Sequence, residues 1–167
     1  IMSHAEEIFT TLNKAYAPLY GFSELSPAQM EYYANAYLPL LRLDFFTAIV
    51  RERDQQMIAF AITMPNLSKA MRAAKGRLYP FGFIPLLNAL KTPPKVVDLY
   101  LIGVLPEYQN KGINALIFAD LIPIYNKLGV ETAESNPELE TNMAVQLQWS
   151  YFERKHHKTR RVFIKEL

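Results

Sequence analysis

Residues 96–115, VVDLYLIGVLPEYQNKGINA, decide how this chain is read. Residues 96–104 are apolar over most of their length, the pattern of a central strand covered on both faces. A turn bounded by Pro106 follows, then a polar loop carrying Gly112. From 112 to 128, Ile113, Leu116, Ile117, Leu121, Ile124 and Leu128 recur at helical spacing, and Gly129 ends the run. Pro123 lies inside this helix and is expected to kink it, at a cost of about 3 kcal/mol. Strand, turn, glycine loop and helix in this order have a chemical use. The first N–H groups of a helix lack intrahelical partners and sit at the positive end of its dipole. A glycine there lets a bulky anion come close to the main chain.

Upstream, Ile8, Leu12, Ala15, Tyr16 and Leu19 give helical spacing over 4–20. Ser26, Pro27 and Gln29 are the start signals of a second helix, which runs to about Tyr37 and stops at Pro39. Residues 45–52 and 57–64 are two strands around the polar turn Arg53-Asp54-Gln55-Gln56, an antiparallel hairpin. An insertion occupies 66–94. Asn66 caps a short helix ended by Gly76, and Pro85 opens a second over 86–91, closed by Thr92-Pro93-Pro94.

Downstream, 130–135 reads as a short strand. Asn136-Pro137-Glu138 turns the chain into a helix with a ridge at Leu139, Met143, Leu147 and Tyr151. Residues 158–167 alternate as a final strand, with Val162 and Ile164 on one face. His156 and His157 stand in a basic run, 154–161. Adjacent residues of a strand point to opposite faces, so the pair reads as part of a solvated basic hairpin rather than a joint metal site. Phosphate or membrane contact is the alternative reading of that run.

At 167 residues, half apolar and a fifth charged, the chain has the size and composition of one globular domain. A net charge of +2 gives no electrostatic case for nucleic acid. The absence of cysteine excludes disulfides, thiolate catalysis and thiolate metal sites, and fits a reducing, cytoplasmic setting. No apolar run reaches the length of about 18 residues that spans a bilayer.

The loop Gln109-Asn110-Lys111-Gly112-Ile113-Asn114 resembles the Q/R-x-x-G-x-G/A pyrophosphate loop of the GNAT superfamily of acyl-CoA-dependent N-acyltransferases. There it follows a strand ending in a Val-x-Pro turn, here Val104-Leu105-Pro106. The element order also matches that family from its first helix onward, over nearly all of 1–167 except the insertion. Asn114 departs from the pattern, although asparagine tolerates left-handed backbone angles. The opening Ile1-Met2-Ser3-His4 runs straight into a helix where the family has a strand, so a fragment or a missing leading segment is expected.

The resemblance implies an α/β fold, a central mixed sheet flanked by helices, with a V-shaped opening that holds the pantetheine arm. It implies acetyl-CoA or another acyl-CoA as co-substrate, no metal, a small-molecule or peptide amine as acceptor, and a homodimer as one assembly. Carried over by position, the backbone of Gln109, Asn110, Lys111, Gly112, Ile113, Asn114 and Ala115 would hold the pyrophosphate, and the Val104 backbone the pantetheine. Lys111 would add a point charge or simply be solvated. Asn142 would contact the cofactor arm or merely cap a helix.

The tyrosine that protonates the leaving sulfur in the family falls here on Trp149, which has no acidic proton of useful pKa. Tyr151 is the substitute acid, or else a core aromatic on its ridge. For the base, Glu134 at a strand end is preferred, with Asp98 in the central strand also considered and Glu140 the runner-up. Any of these carboxylates has the alternative role of a paired structural acid. The expected reaction is transfer of an acyl group, most simply acetyl, to an amine. Two other readings stand beside it. The apolar run 79–87, YPFGFIPLL, suggests a long-chain N-acyltransferase acting on amino acids or lipids. Trp149 and Asn114 suggest a non-catalytic acyl-CoA-binding domain. The insertion is expected to line the acceptor side of the cleft.

Overall fold

A computed structural model describes residues 4–165. Its contacts separate into two compact units with the boundary after Glu134.

The first unit is built on β2 (Met57–Pro65), buried along nearly its whole length. β1 (Phe46–Val50) and β3 (Val96–Val104) flank it, each antiparallel to it. β4 (Thr132–Ser135) lies beyond β3, in the order β1-β2-β3-β4. The Lys95 carbonyl accepts from the N–H groups of Glu131 (2.8 Å) and Thr132 (3.2 Å), so the starts of β3 and β4 lie side by side. They therefore run parallel, joined by a helical crossover, and the sheet is mixed as expected.

Alternation along β2 divides the core. Phe60 and Ile62 pack with Ile8, Phe9 and Leu12 of helix α1 (Ala5–Tyr16). Ala59 and Ala61 face Ile117, Leu121 and Tyr125 of helix α5 (Ile113–Leu128), their small side chains admitting the helix closely. Each fully buried Leu, Ile or Phe contributes about 1.5–3 kcal/mol. Helix α2 (Pro27–Tyr37) starts with the complete capping box its sequence announces: Ser26 Oγ accepts from Gln29 N–H (3.4 Å) and Gln29 Oε1 from Ser26 N–H (2.9 Å). Gly103 is required by packing, since a Cβ there would lie 2.7 Å from the buried Phe60 ring.

Three expectations for this unit change in detail. Along α5 the buried residues are Ile117, Phe118, Leu121 and Tyr125, and Leu116 is exposed. Ile117 and Leu121 are core and Ile113 and Leu128 pack against it as expected, whereas Tyr125, whose hydroxyl donates to the buried Thr63 Oγ1 (2.8 Å), takes a core place that its polar group hides in sequence. Pro123 lies inside α5 as expected. The strand β3 is not covered throughout, because Tyr100 is exposed. In the insertion, α3 (Ser68–Ala73) is followed by α4 (Phe83–Lys91), which starts before Pro85. Proline needs no N–H partner in a first turn, so it does not mark the first residue.

The second unit holds helix α6 (Met143–Gln148) and a single 3-10 turn, Trp149–Tyr151. The longer helix read from 139 does not form. The Gln146 side-chain amide donates to the carbonyls of Leu139 and Glu140 (3.2 Å each), closing a turn where that helix would begin. Leu139, Met143, Leu147 and Tyr151 are exposed, so the ridge is not a core face. Residues 158–165 form no strand, and Val162 and Ile164 are exposed. Alternation selects a face, but a strand also needs a neighbouring ladder for its N–H and C=O groups, and none pairs with this segment. The basic run 154–161 is accordingly exposed chain, not a hairpin. Residues 166 and 167 of the expected strand lie outside the described residues.

Candidate active site

β3 carries one residue more than β2 opposite it. Ile62 pairs with Leu101 and Thr63 with Leu99, leaving Tyr100 as a bulge. Bulges bend a strand and raise its twist. β4 has four residues against nine in β3, so no strand of the sheet pairs with Ile102 and Val104 on that side. The Leu105 N–H donates to the Ile58 carbonyl (2.9 Å), which sets the alternation: Ile102 and Val104 turn their N–H and C=O groups away from β2, toward the β4 side. Their carbonyls are met by side chains. Tyr16 Oη donates to Ile102 O (3.2 Å) and Gln109 Nε2 to Val104 O (3.0 Å). The two N–H groups lie outside the β2 ladder, an open strand edge that suits an extended chain with amide groups.

The loop at the end of β3 turns sharply. Asn110 (φ 58°) and Gly112 (φ 79°) are left-handed, with Lys111 between them at negative φ. A sign alternation of this kind directs successive N–H groups to one side. A Cβ placed on Gly112 would meet nothing within 4 Å, so the start of α5 is approachable. α5 has no side-chain cap and no acidic residue in its first turn. The chain even places Lys111 beside that positive end. Such a helix start is electrostatically suited to an anion.

Two loop expectations are refined. Asn114 lies within α5, so the left-handed backbone foreseen for it falls on Asn110 instead. The Ala115 N–H donates to the Gly112 carbonyl (3.0 Å), which leaves Gly112 and Ile113 better placed to meet an anion. The Lys111 Nζ sits 5.8 Å from the centroid of the Tyr108 ring. Beneath it, Arg51 Nη1 donates to Tyr108 Oη (2.7 Å) while Nε and Nη2 grip Asp54 (2.8 and 2.6 Å) and Nη2 also meets Gln56. The Asp54 carboxyl is held down to about 2 by the Arg51 guanidinium. Arg51 thus ties the hairpin turn to the loop. Sequence gave no signal for this, because residues 51 and 108 meet only through the fold.

Of the candidate bases, Glu134 and Asp98 stand on adjoining parallel strands at about the same level, both half-buried. Asp98 Oδ1 accepts from Asn66 Nδ2 (2.7 Å), an insertion residue that also accepts from Ser68 N–H (3.0 Å). Tyr100 next to them has its pKa raised, by burial first and then by the charge of Asp98. Tyr16, read in sequence only as an apolar helix position, proves to reach the open edge of β3; burial raises its pKa as well.

In the second unit, Asn142 caps α6, its Oδ1 accepting from Val145 N–H (3.4 Å), so the capping reading is met. Glu140 is exposed and pairs with Arg161 (3.1 Å). Trp149 Nε1 donates to Glu138 (2.6 Å). Tyr151, at 88% exposure, is not a core aromatic.

Solved structures share this fold. A ribosomal-protein-alanine N-acetyltransferase of Brucella melitensis matches with a TM-score of 0.57 at 13% identity, covering 98% of this chain and 94% of its own. An aminoglycoside acetyltransferase in complex with the bisubstrate analogue CoA-S-monomethyl-acetylneamine matches with a TM-score of 0.56 at 16% identity, covering 98% and 92%. This chain has the GNAT fold. No family model matches it. Among curated proteins, the bacterial ceramide synthase of Caulobacter vibrioides is 27% identical over 163 residues, 93% of this chain and 41% of that protein. Protein YghO of Escherichia coli is 32% identical over 98 residues, 56% of this chain and 25% of that protein. The chain therefore spans less than half the length of either relative.

Proposed function

We propose that this chain transfers an acyl group from acyl-CoA to an amine. The observation that carries the reading is the uncapped start of α5 behind left-handed Gly112, set at the end of a bulged strand whose outer N–H groups are unladdered. Gly112 and Ile113 hold the pyrophosphate. Val104 and Ile102 take the arm by their N–H groups, since their carbonyls already accept from Gln109 and Tyr16. Acyl-CoA supplies the activated carbonyl. The amine nitrogen bonds to that carbon, the C–S bond breaks, and the nitrogen's proton passes to Glu134. The leaving thiolate draws a proton from water.

The acceptor is best read as a long-chain amino lipid rather than a small polar amine. Its support is the similarity to a protein named ceramide synthase and the apolar insertion. The insertion rejoins the sheet at the start of β3, and the nine residues of that strand separate it from the end that leads to the glycine loop, roughly 30 Å at about 3.3 Å per residue. That is the acceptor end. The acetyltransferase neighbours support the simpler acetyl reading. Thiol release measured over acyl-CoA chain lengths, with amines from a long-chain amino alcohol to an aminoglycoside, separates them. Turnover of the lipid amine is expected. Tight CoA binding without turnover of any amine would leave only the non-catalytic reading.

A further inference from the structure

The net charge of +2 conceals a segregation. Residues 55–97 hold six of the eighteen Lys and Arg residues (Lys69, Arg72, Lys75, Arg77, Lys91 and Lys95) and none of the sixteen Asp and Glu residues. That segment carries +6, and the remainder, with twelve cations against sixteen carboxylates, carries −4. Lys95 is paired with Glu131 (2.8 Å), whereas Arg72, Lys75, Arg77 and Lys91 are exposed with no carboxylate partner among the described residues.

Between these cations the insertion presents an apolar tip. Tyr79 is 88% and Phe81 70% exposed, and α4 behind them has no buried residue, with Phe83, Ile84 and Leu87 facing solvent. The tip is nonetheless an ordered turn. Phe83 N–H donates to Leu78 O and Ile84 N–H to Phe81 O (3.1 Å each). Gly82 packs so tightly on Arg77 that a Cβ would lie 1.6 Å from its carbonyl oxygen. These two bonds are made inside the turn while its large side chains are exposed, an arrangement that suits an element entering an apolar phase.

We propose that the insertion, residues 66–94, docks on an anionic membrane surface, with Tyr79, Phe81 and their neighbours entering the headgroup–acyl boundary and the exposed cations on either side of them in sequence meeting lipid phosphates. Charge complementarity selects this occupant. A second copy seated on the same face would set the five cations of 66–94 against five more. No helix among the described residues is long and apolar enough to cross a membrane, and the contact proposed for the insertion is with the membrane surface. It stands whether or not the acceptor is a lipid, because it rests on the surface and not on the reaction.

Vesicle flotation of the 167-residue chain tests it, comparing pure phosphatidylcholine with phosphatidylcholine containing a third phosphatidylglycerol. Binding to the anionic vesicles alone is expected, and release by high salt. The double variant Tyr79→Ser/Phe81→Ser should bind at least about tenfold more weakly. Arg72→Gln and Lys91→Gln should each lower partition about fivefold. All four positions are exposed, so circular dichroism should report unchanged folding. Equal binding to both vesicles, binding to neither, or variants indistinguishable from the parent chain would overturn the proposal. So would a dimer in sedimentation that Tyr79→Ser/Phe81→Ser abolishes, which would give the face to a second copy.

Discussion

Helix α5 begins and ends on a glycine with nearly the same backbone, φ 79° at Gly112 and 73° at Gly129, and at either one a Cβ would meet nothing within 4 Å. The ends differ in where the polar groups go. At the C-terminal end, Gly129 N–H returns to Asn126 O (3.1 Å) and Val130 N–H to Tyr125 O (3.0 Å), and Lys127 complements the dipole. That end is closed. At the N-terminal end there is no side-chain cap and no acid, and a lysine precedes it. A left-handed glycine beside a helix is therefore not a site in itself. It becomes one where the chain leaves donors without acceptors, as α2, closed by Ser26 and Gln29, does not.

The largest expected effect lies where the open end delivers its ligand. If acyl-CoA is held from the start of α5 along the outer edge of β3, the proton acceptor belongs to the strand beside that edge. Glu134→Gln should then lower kcat/KM by roughly 10²- to 10⁴-fold. Tyr151→Phe should cost less than about tenfold, since an exposed hydroxyl outside the core is all that is lost. The reverse ranking would move the chemistry to the second unit.

The comparison itself is tested by matched substitutions at the two glycines. Gly112→Trp and Gly129→Trp both force a side chain into left-handed backbone, at a cost of about 1–2 kcal/mol each. Thermal melts should show similar losses. Calorimetry with CoA should separate them: about a hundredfold weaker binding for Gly112→Trp, from two charge-assisted hydrogen bonds of about 1.5 kcal/mol each, and no change for Gly129→Trp. Equal affinities would erase the distinction between the ends.

Much of this contrast is legible in sequence and part of it is not. Strand, loop and helix at 96–128 and the capping box at Ser26 are read directly, because local spacing and cap chemistry determine them. The bulge at Tyr100 is invisible, since an extra residue exists only relative to a partner strand. So is the tether of Arg51 to Tyr108, fifty-seven positions apart. The second unit was read least well. Alternation at 158–165 and the ridge from Leu139 name faces that would be buried, but burial depends on what the fold sets against them.

A smaller effect should follow from loosening the loop without touching it. Tyr108→Phe keeps the ring beneath Lys111 and removes the hydrogen bond from Arg51. One hydrogen bond of about 1 kcal/mol makes CoA binding about fivefold weaker if the whole of it serves to hold the loop. Arg51→Met, which also frees Asp54, should weaken it about tenfold or less. Affinities unchanged in both variants would mean that α5 alone orders its start.

The smallest effect is the pH dependence of that same tether. Asp54 is held at about 2 against an ordinary value of 3.8, chiefly by its hydrogen bonds from Arg51. A carboxyl whose pKa is depressed by folding stabilises the fold while both states are ionised, above 3.8, and loses that contribution as pH falls from 3.8 through 2. The difference in melting temperature between the parent chain and Asp54→Asn should thus be constant at neutral pH, shrink below pH 4 or so, and vanish near the lower value. Because the pair is exposed, high salt should reduce the difference at every pH. The same titration on Gly129→Trp should show the full dependence, since nothing at the closed end of α5 involves Asp54. A difference that persisted unchanged into strong acid would show that Asp54 acts through the hairpin turn, by its contact with Gln56 N–H (3.4 Å), and not through its charge on Arg51.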